Sequence, residues 1–263
     1  MDEESILLKK EERIATITLN RQDKLNALDW PAQRLLGQKL DEVAEDEELR
    51  ILIITGAGRA FCAGGDVSAQ KSRVGMKVAE RKAGMKVNLK NPVKIRKMSI
   101  PVIAMVNGAA VGAGCNLALA CDIIIASDKA RFSQAFVKVG LAQDYGGSHL
   151  LPRSVGTKKA CELAFTGDII DANEALRIGL VNKVVPAEEL EKVTKEMALK
   201  IASRAPLAIS IVKQSIYDGF ERFDLETTLE YEMYTQGFCS DTDDHKEGAT
   251  AFLEKRDPNF KGM

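Results

Sequence analysis

Apolar positions along the chain fall into short runs of two kinds. Residues 6–10 and 13–19 alternate, with Ile14, Ile17 and Leu19 among the β-branched Thr16 and Thr18, which predicts a β-hairpin. Residues 51–54 and 100–106 are continuous apolar runs of strand length, the pattern of strands buried on both faces. Residues 121–126 read as a further strand. Helical periodicity fills the intervals. Asp29 is placed to cap a helix with Pro31 near its first turn, and Leu35, Leu36, Leu40 and Val43 form its apolar stripe. The polar stretch 20–26 before it reads as a loop. Residues 67–98 read as helix interrupted at Gly75, Gly84 and Pro92, and Ala113–Ala120 as a short helix. Repeated strand-and-helix units predict an α/β core in successive layers. Beyond Pro186 the pattern is helical throughout, over 188–203, 206–220, 225–238 and 243–253. This tail is not a continuation of the sheet, and a boundary is placed near residue 190.

Two loops rich in small residues stand out within this alternation. The first is Gly56-Ala57-Gly58-Arg59-Ala60-Phe61-Cys62-Ala63-Gly64-Gly65-Asp66-Val67-Ser68. The second is Asn107-Gly108-Ala109-Ala110-Val111-Gly112-Ala113-Gly114-Cys115-Asn116. Each follows an apolar strand and leads into a helix. A single such loop usually reflects turn geometry or close packing. No Lys-Ser/Thr follows the glycines of the second, so it is not a P-loop, nor does it fit the dinucleotide fingerprint. The start of the helix at 113 instead offers unpaired N–H groups at a positive dipole end. Two loops of this kind can aim two N–H groups at one oxygen, such as that of a thioester turning into an enolate.

Composition narrows the class further. The 263 residues suffice for one large domain or a core with an appendage. Lys+Arg 37 against Asp+Glu 38 gives a formal charge of -1, which removes any bulk field for nucleic acid or anionic membranes. The acidic start Met1-Asp2-Glu3-Glu4-Ser5 lacks a signal-peptide pattern, and no apolar run approaches the ~20 residues of a membrane span. Cys62, Cys115, Cys121, Cys161 and Cys239 are odd in number and widely spaced, without a CxxC metal pattern. A reduced, cytoplasmic protein without a metal site is expected.

On these motifs the chain resembles the enoyl-CoA hydratase/isomerase (crotonase) superfamily. The matching segments are Leu25-Asn26-Ala27-Leu28, Ala60 through Val67, Pro101-Val102-Ile103-Ala104, Asn107-Gly108 through Gly114-Cys115, Phe132-Ser133-Gln134 and Gly146-Gly147. Gly179 through Val185 and Ala251 through Arg256 complete the order. The resemblance implies a spiral of ββα repeats over residues 1–190. It also implies a helical C-terminal region over 191–263 that drives assembly into a trimer or a dimer of trimers. The substrate it implies is an acyl-CoA, with CoA as part of the substrate and no separate cofactor. By motif position the oxyanion-hole donors are the N–H groups of Gly65 and Ala113, and Ala at 113 retains the N–H.

The departures from the family pattern bear on the reaction. The two glutamates of the usual hydratases fall at Asn116 and Phe136, neither of which exchanges a proton near neutral pH. One carboxylate stands where isomerase branches of the family carry their working acid: Asp144, in Gly140-Leu141-Ala142-Gln143-Asp144-Tyr145-Gly146-Gly147. It is either a base near the distal acyl carbons or a turn and N-cap residue before the glycines. Tyr145 and Asn116 are expected to line the acyl pocket or hold a water, and residues 69–98 to form its wall. His149 reads as a packing or surface residue, His245 as the start of a polar helix, and Cys62 and Cys115 as small buried filler.

For CoA, the resemblance places Lys24 and Leu25 at the pantetheine or phosphate end and Ala63, Asp66 and Val67 at the adenine. Phe252 and Lys255, three apart, would share a helical face and reach a neighbouring subunit's ligand. Their plain alternatives are interface packing and a solvated helix-end cation. Three functions follow: an enoyl-CoA isomerase working through Asp144, a hydratase for unusual cyclic or dienoyl substrates, and a non-catalytic CoA-binding protein.

Overall fold

The computed structural model describes residues 4–71 and 75–263, and all counts below refer to these residues. Strand β1 (Ile6–Glu11) pairs antiparallel with β2 (Ile14–Leu19), Ile6 opposite Leu19 and Glu11 opposite Ile14. Helix α1 (Trp30–Ala44) then crosses to β3 (Ile51–Gly56), which lies parallel to β2. The helix begins where the sequence puts it: Asp29 Oδ1 accepts the Ala32 N–H at 2.9 Å, with Pro31 in the first turn. Leu36, Leu40 and Val43 are fully buried, while Leu35 is half-buried at the edge of the core.

From β3 onward the chain winds in repeating turns. The first comprises β3, β4 (Ala60–Cys62) and the helices α2 (Val67–Lys71), α3 (Val78–Asn88) and α4 (Asn91–Lys97). The second is β5 (Val102–Val106), β6 (Ala109–Val111) and α5 (Ala113–Ala120). The third is β7 (Ile123–Ser127), β8 (Arg131–Ser133), a 3-10 turn over Ala135–Val139 and α6 (Gly147–Val155). In each turn the first strand enters one sheet and the second strand another, so β3, β5 and β7 lie parallel in sequence, as do β4, β6 and β8. Every residue of β3 is buried, as expected of a strand covered on both faces. This is the spiral of ββα units that the motif order implies.

Further elements complete both sheets. After α7 (Thr157–Thr166), β9 (Ile169–Asp171) pairs antiparallel with β8, and after α8 (Ala172–Arg177), β10 (Lys183–Val185) pairs parallel with β7. The six-stranded order is β1-β2-β3-β5-β7-β10 and the four-stranded order β4-β6-β8-β9.

Four helices follow: α9 (Leu190–Ala202), α10 (Pro206–Glu221), α11 (Leu225–Ser240) and α12 (Asp243–Glu254). The first of them shares a core with the strands, since Leu190, Val193, Met197, Ala198 and Ile201 pack with Ile14, Ile51, Ile53, Ile103 and Ile125. The chain therefore leaves the sheet only at α10. That helix is tied back by buried Lys213, whose ammonium donates to the Ile95 and Ile100 carbonyls at 3.0 Å each and pairs with Asp122 at 2.8 Å. Helix α11 buries no residue, leaving Leu225, Leu229, Met233, Tyr234 and Phe238 exposed beside a groove of about 1400 Å³ between α10 and α12.

The winding brings the two small-residue loops into contact. A Cβ built on Gly114 would stand 2.1 Å from the Cys62 carbonyl oxygen and 2.7 Å from the Cys62 Cβ, so only glycine allows α5 to reach β4. Replacing Gly114 with Ala is expected to lower unfolding stability by about 1–3 kcal/mol through overpacking, measured as a shift in the urea midpoint at constant slope.

Candidate active site

The first wall of the site is built by segments 25–28 and 63–66, which run side by side. The Ala63 N–H donates to the Leu25 carbonyl at 2.9 Å, Leu28 N–H to Gly64 O at 2.7 Å and Asp66 N–H to Leu28 O at 3.2 Å. Leu25 and Asn26 hold left-handed backbone, with φ of 50° and 59°. Buried Asn26 fixes that turn, because Nδ2 donates to the Ala57 and Ala60 carbonyls while Oδ1 accepts the Arg21 N–H. Asn tolerates this conformation better than most residues. Arg21 closes the wall by pairing with Asp29 and Asp66, each at 3.1 Å.

This pairing has a consequence for Gly65. In the parallel bridge between Leu28 and Gly65, the bonds are made by the flanking Gly64 carbonyl and Asp66 N–H. The N–H of Gly65 itself therefore faces away from Leu28. Ala113 is the first residue of α5, a position whose N–H has no partner within a helix. Among the described residues, neither N–H has a hydrogen-bond partner. Gly65 and Ala113 line one cavity of about 310 Å³, together with Leu28, Trp30, Gln33, Asp66, Met85, Leu89, Leu141, Ala142, Gln143 and Asp144.

Asp144 supplies the titratable group. Its Oδ1 is buried without a hydrogen-bond partner, and burial pushes its carboxyl up to about 6. The N-cap of α6 is Gly146, with no side-chain cap, so Asp144 is not the capping residue. Its backbone carbonyl is held instead, by Asn116 Nδ2 at 2.8 Å and the Gly147 N–H at 3.0 Å. Asp66, in the same cavity, behaves oppositely. Burial alone would raise it, but the Ala69 N–H, at 3.2 Å, and the Arg21 guanidinium outweigh that and hold it below the usual carboxylate range. Two backbone donors and one elevated, unpaired carboxyl thus line one chamber of mixed polar and apolar walls.

Comparison with known proteins bears directly on this arrangement. The enoyl-CoA hydratase/isomerase family model matches residues 9–263. The chain belongs to that family. A short-chain-enoyl-CoA hydratase of Clostridium acetobutylicum is 43% identical over 260 residues, 97% of each chain. A 1,2-epoxyphenylacetyl-CoA isomerase of Escherichia coli is 38% identical over 262 residues, 98% of this chain and 99% of that one. The crystal structure of an enoyl-CoA hydratase from Bacillus anthracis superposes with a TM-score of 0.93 at 36% identity, covering 99% of this chain and 100% of the other.

The remaining residues singled out by family motifs fall into three groups. Lys24, Leu25, Ala63 and Val67 lie on or beside the stitched segments 25–28 and 63–66 but do not line the chamber. Lys24 is exposed at the end of the turn Gln22–Lys24, and Val67 is exposed at the start of α2. Asn116 and Tyr145, expected to line the pocket or hold a water, are not among the residues that line the chamber. Asn116 is fully buried in the protein, and the Tyr145 hydroxyl accepts from Asn91 Nδ2 at 3.1 Å within the core. Phe252 and Lys255 do not share a helical face, because α12 ends at Glu254 and Lys255 is its left-handed cap.

Phe136 is buried, its ring beside Gly112 at the entry to α5. From the 69–98 stretch, Met85 of α3 and Leu89 just beyond that helix line the chamber; residues 72–74 lie outside the described residues. His149 pairs on the surface with Glu221 at 3.0 Å, and His245 sits in the first turn of α12. Arg21 and Trp30 lie outside the family motifs, although Trp30 is the chain's single tryptophan, while Gln134 lies within the Phe132-Ser133-Gln134 motif and Gln143 beside Asp144.

Cys62 and Cys115 lie under the loops with thiols pushed up to about 12 by burial, so neither is a nucleophile at neutral pH. Iodoacetamide at pH 8 is expected to leave Cys62, Cys115 and Cys121 unmodified in the folded protein and to label all five cysteines after denaturation, read by peptide mass spectrometry.

Proposed function

We propose that this family member isomerises the double bond of an enoyl-CoA thioester through Asp144. The observation that carries this reading is the elevated, unpaired Asp144 carboxyl in the same chamber as the free N–H groups of Gly65 and Ala113. The thioester oxygen sits between those two donors. Asp144 as carboxylate removes a proton from the α-carbon of a 3-enoyl-CoA, and the electron pair passes to the thioester oxygen as a dienolate. The same carboxyl returns the proton to the γ-carbon, so the double bond moves to the 2-position and the enzyme ends as it began. Asn116 and Phe136, at the two hydratase glutamate positions, offer no second acid or base for water.

A hydratase reading is favoured by one specific observation: the relatives from Clostridium acetobutylicum and Syntrophomonas wolfei, 43% and 41% identical, are named short-chain-enoyl-CoA and crotonyl-CoA hydratases. Labelled water separates the two readings, since hydration leaves oxygen label in the product and isomerisation leaves hydrogen label only. Tight CoA binding without turnover on either panel would instead support a non-catalytic protein.

Lys24, Leu25, Ala63, Asp66 and Val67 are the proposed CoA contacts on the wall, with Phe252 and Lys255 contributed by a neighbouring subunit. The exposed apolar residues of α10, α11 and α12 support a trimer or a dimer of trimers built through the C-terminal region 191–263, and the acyl-CoA is then the partner enclosed.

An Asp144→Asn variant is expected to lose turnover of 3-enoyl-CoA by on the order of 10²–10⁴-fold; full activity would refute the assignment. Only the deprotonated carboxyl accepts a proton, so kcat/KM of the parent is expected to fall as pH drops through about 6, not through the ~4 of an ordinary aspartate. Ala113→Pro removes one hole donor at the first helical position, where proline is tolerated. It is expected to lower kcat by on the order of 10²–10³-fold with little change in melting temperature.

A further inference from the structure

We infer that Asn116, at a position where other members carry an acid, is a positioning residue that holds Asp144 in its working geometry. It does so through a one-way chain of amides. The inference rests on the reading of Asp144 as the base. The Ser148 hydroxyl donates to Gln143 Oε1 at 3.1 Å, Gln143 Nε2 to Gln134 Oε1 at 3.0 Å and Gln134 Nε2 to Asn116 Oδ1 at 2.9 Å. Asn116 Nδ2 then donates to the Asp144 carbonyl at 2.8 Å. Each amide donates to the next in the same sense, an arrangement in which successive bonds polarise one another.

The chain closes on itself in the sequence. It runs from Ser148 in the first turn of α6 to Gln143 in the preceding loop, passes through Gln134 and α5, and returns to that loop at Asp144. Gln134 and Asn116 are buried, so the bond between them forms away from water, while the Ser148 end of the chain is exposed. Glycine at 147 makes room for the closing bond, because a Cβ there would stand 2.3 Å from Asn116 Nδ2. The loop needs such a hold. Tyr145 and Gly146 both have positive φ, 52° and 81°, and the Asp144 carboxyl Oδ1 has no partner of its own. A left-handed tyrosine is costly and persists only where the surroundings impose it. Its phenol is pinned from the other side by Asn91, which also donates to the Gln33 carbonyl at 2.8 Å. The carboxyl is thus aimed through its backbone, leaving its oxygens free for a substrate proton.

An acid at 116 acts differently from the amide. The Asn116→Asp side chain is nearly isosteric and keeps an acceptor for Gln134, but it donates to the Asp144 carbonyl only when protonated. Buried between a donor and an acceptor, its own pKa is raised by desolvation.

The test compares Asn116→Asp, Asn116→Ala and Asp144→Asn in steady-state kinetics on 3-enoyl-CoA against pH, with melting curves for folded content. Asn116→Ala is expected to lose on the order of 10²-fold in kcat, the scale of a small misplacement of a reacting group, with KM nearly unchanged. Its acid limb is expected to move below about 6, as the loosened loop admits water to Asp144. Asn116→Asp, nearly isosteric and so folded even if the alanine variant is not, should lose activity as pH rises and regain it as pH falls, down to the limit near 6 where Asp144 itself is protonated.

The inference is overturned if the Asn116 variants fold and keep the parent kcat and acid limb. It is equally overturned if Asn116→Asp shows the pH profile of the parent, because a purely structural amide leaves that profile in place. Asp144→Asn separates the two levels. If it is inactive while the Asn116 variants behave as parent, the positioning role falls and the base assignment stands. If it is fully active, both fall.

Discussion

The contact between the backbone of β4 and the first turn of α5 is the constraint on which the molecule is organised. Gly114 lies against the Cys62 carbonyl with no room for a methyl group, and this approach sets Gly65 and Ala113 on one chamber wall. Main-chain N–H groups held this way need no reorganisation when charge develops on a bound oxygen. The ββα winding serves the same end. Parallel pairing of β4 with β6, and of β3 with β5, stacks one strand-to-helix loop directly beside the next. The short strands β4, β6 and β8 deliver the loops, and the nearly fully buried β3, β5 and β7 supply a rigid backing.

A pair of backbone donors carries no information about which proton moves. The same chamber holds two aspartates whose surroundings differ. Asp66 has Arg21 and the Ala69 N–H and is held ionised. Asp144 has burial and no partner and is raised toward neutrality. Carboxyls of the same type diverge because their surroundings differ in hydrogen-bond donors and water. In this chain the Arg21–Asp66 pair also ties the 20–29 stretch to the segment that carries Gly65, so the ionised aspartate stabilises one wall of the chamber.

Much of the architecture was legible before folding. The strands at 51–54 and 100–106 were evident because full burial demands continuous apolar runs, and α1 because Asp29, Pro31 and a periodic stripe coincide. The helical tail was legible for the same reason. The role of α9 was not: an amphipathic stripe looks alike whether it covers a sheet or another helix, and Ile14, Ile51, Ile103 and Ile125 that receive it are distant in sequence. Asn116 and Tyr145 were assigned to the pocket from adjacency to Asp144 and to the second loop. Adjacency in sequence does not tell which way a side chain turns, and both are turned into the core.

The order of small-residue loops and apolar strands, with an aspartate before a glycine pair, was determined by the sequence alone, since each has a local physical signature in periodicity, chain flexibility or side-chain size. The direction of the Gly65 N–H, the unpaired state of the Asp144 carboxyl and the amide chain from Ser148 to Asn116 were decided only by tertiary structure. Each depends on partners many residues apart being brought within hydrogen-bond distance, or on water being excluded from between them. No local pattern encodes either condition.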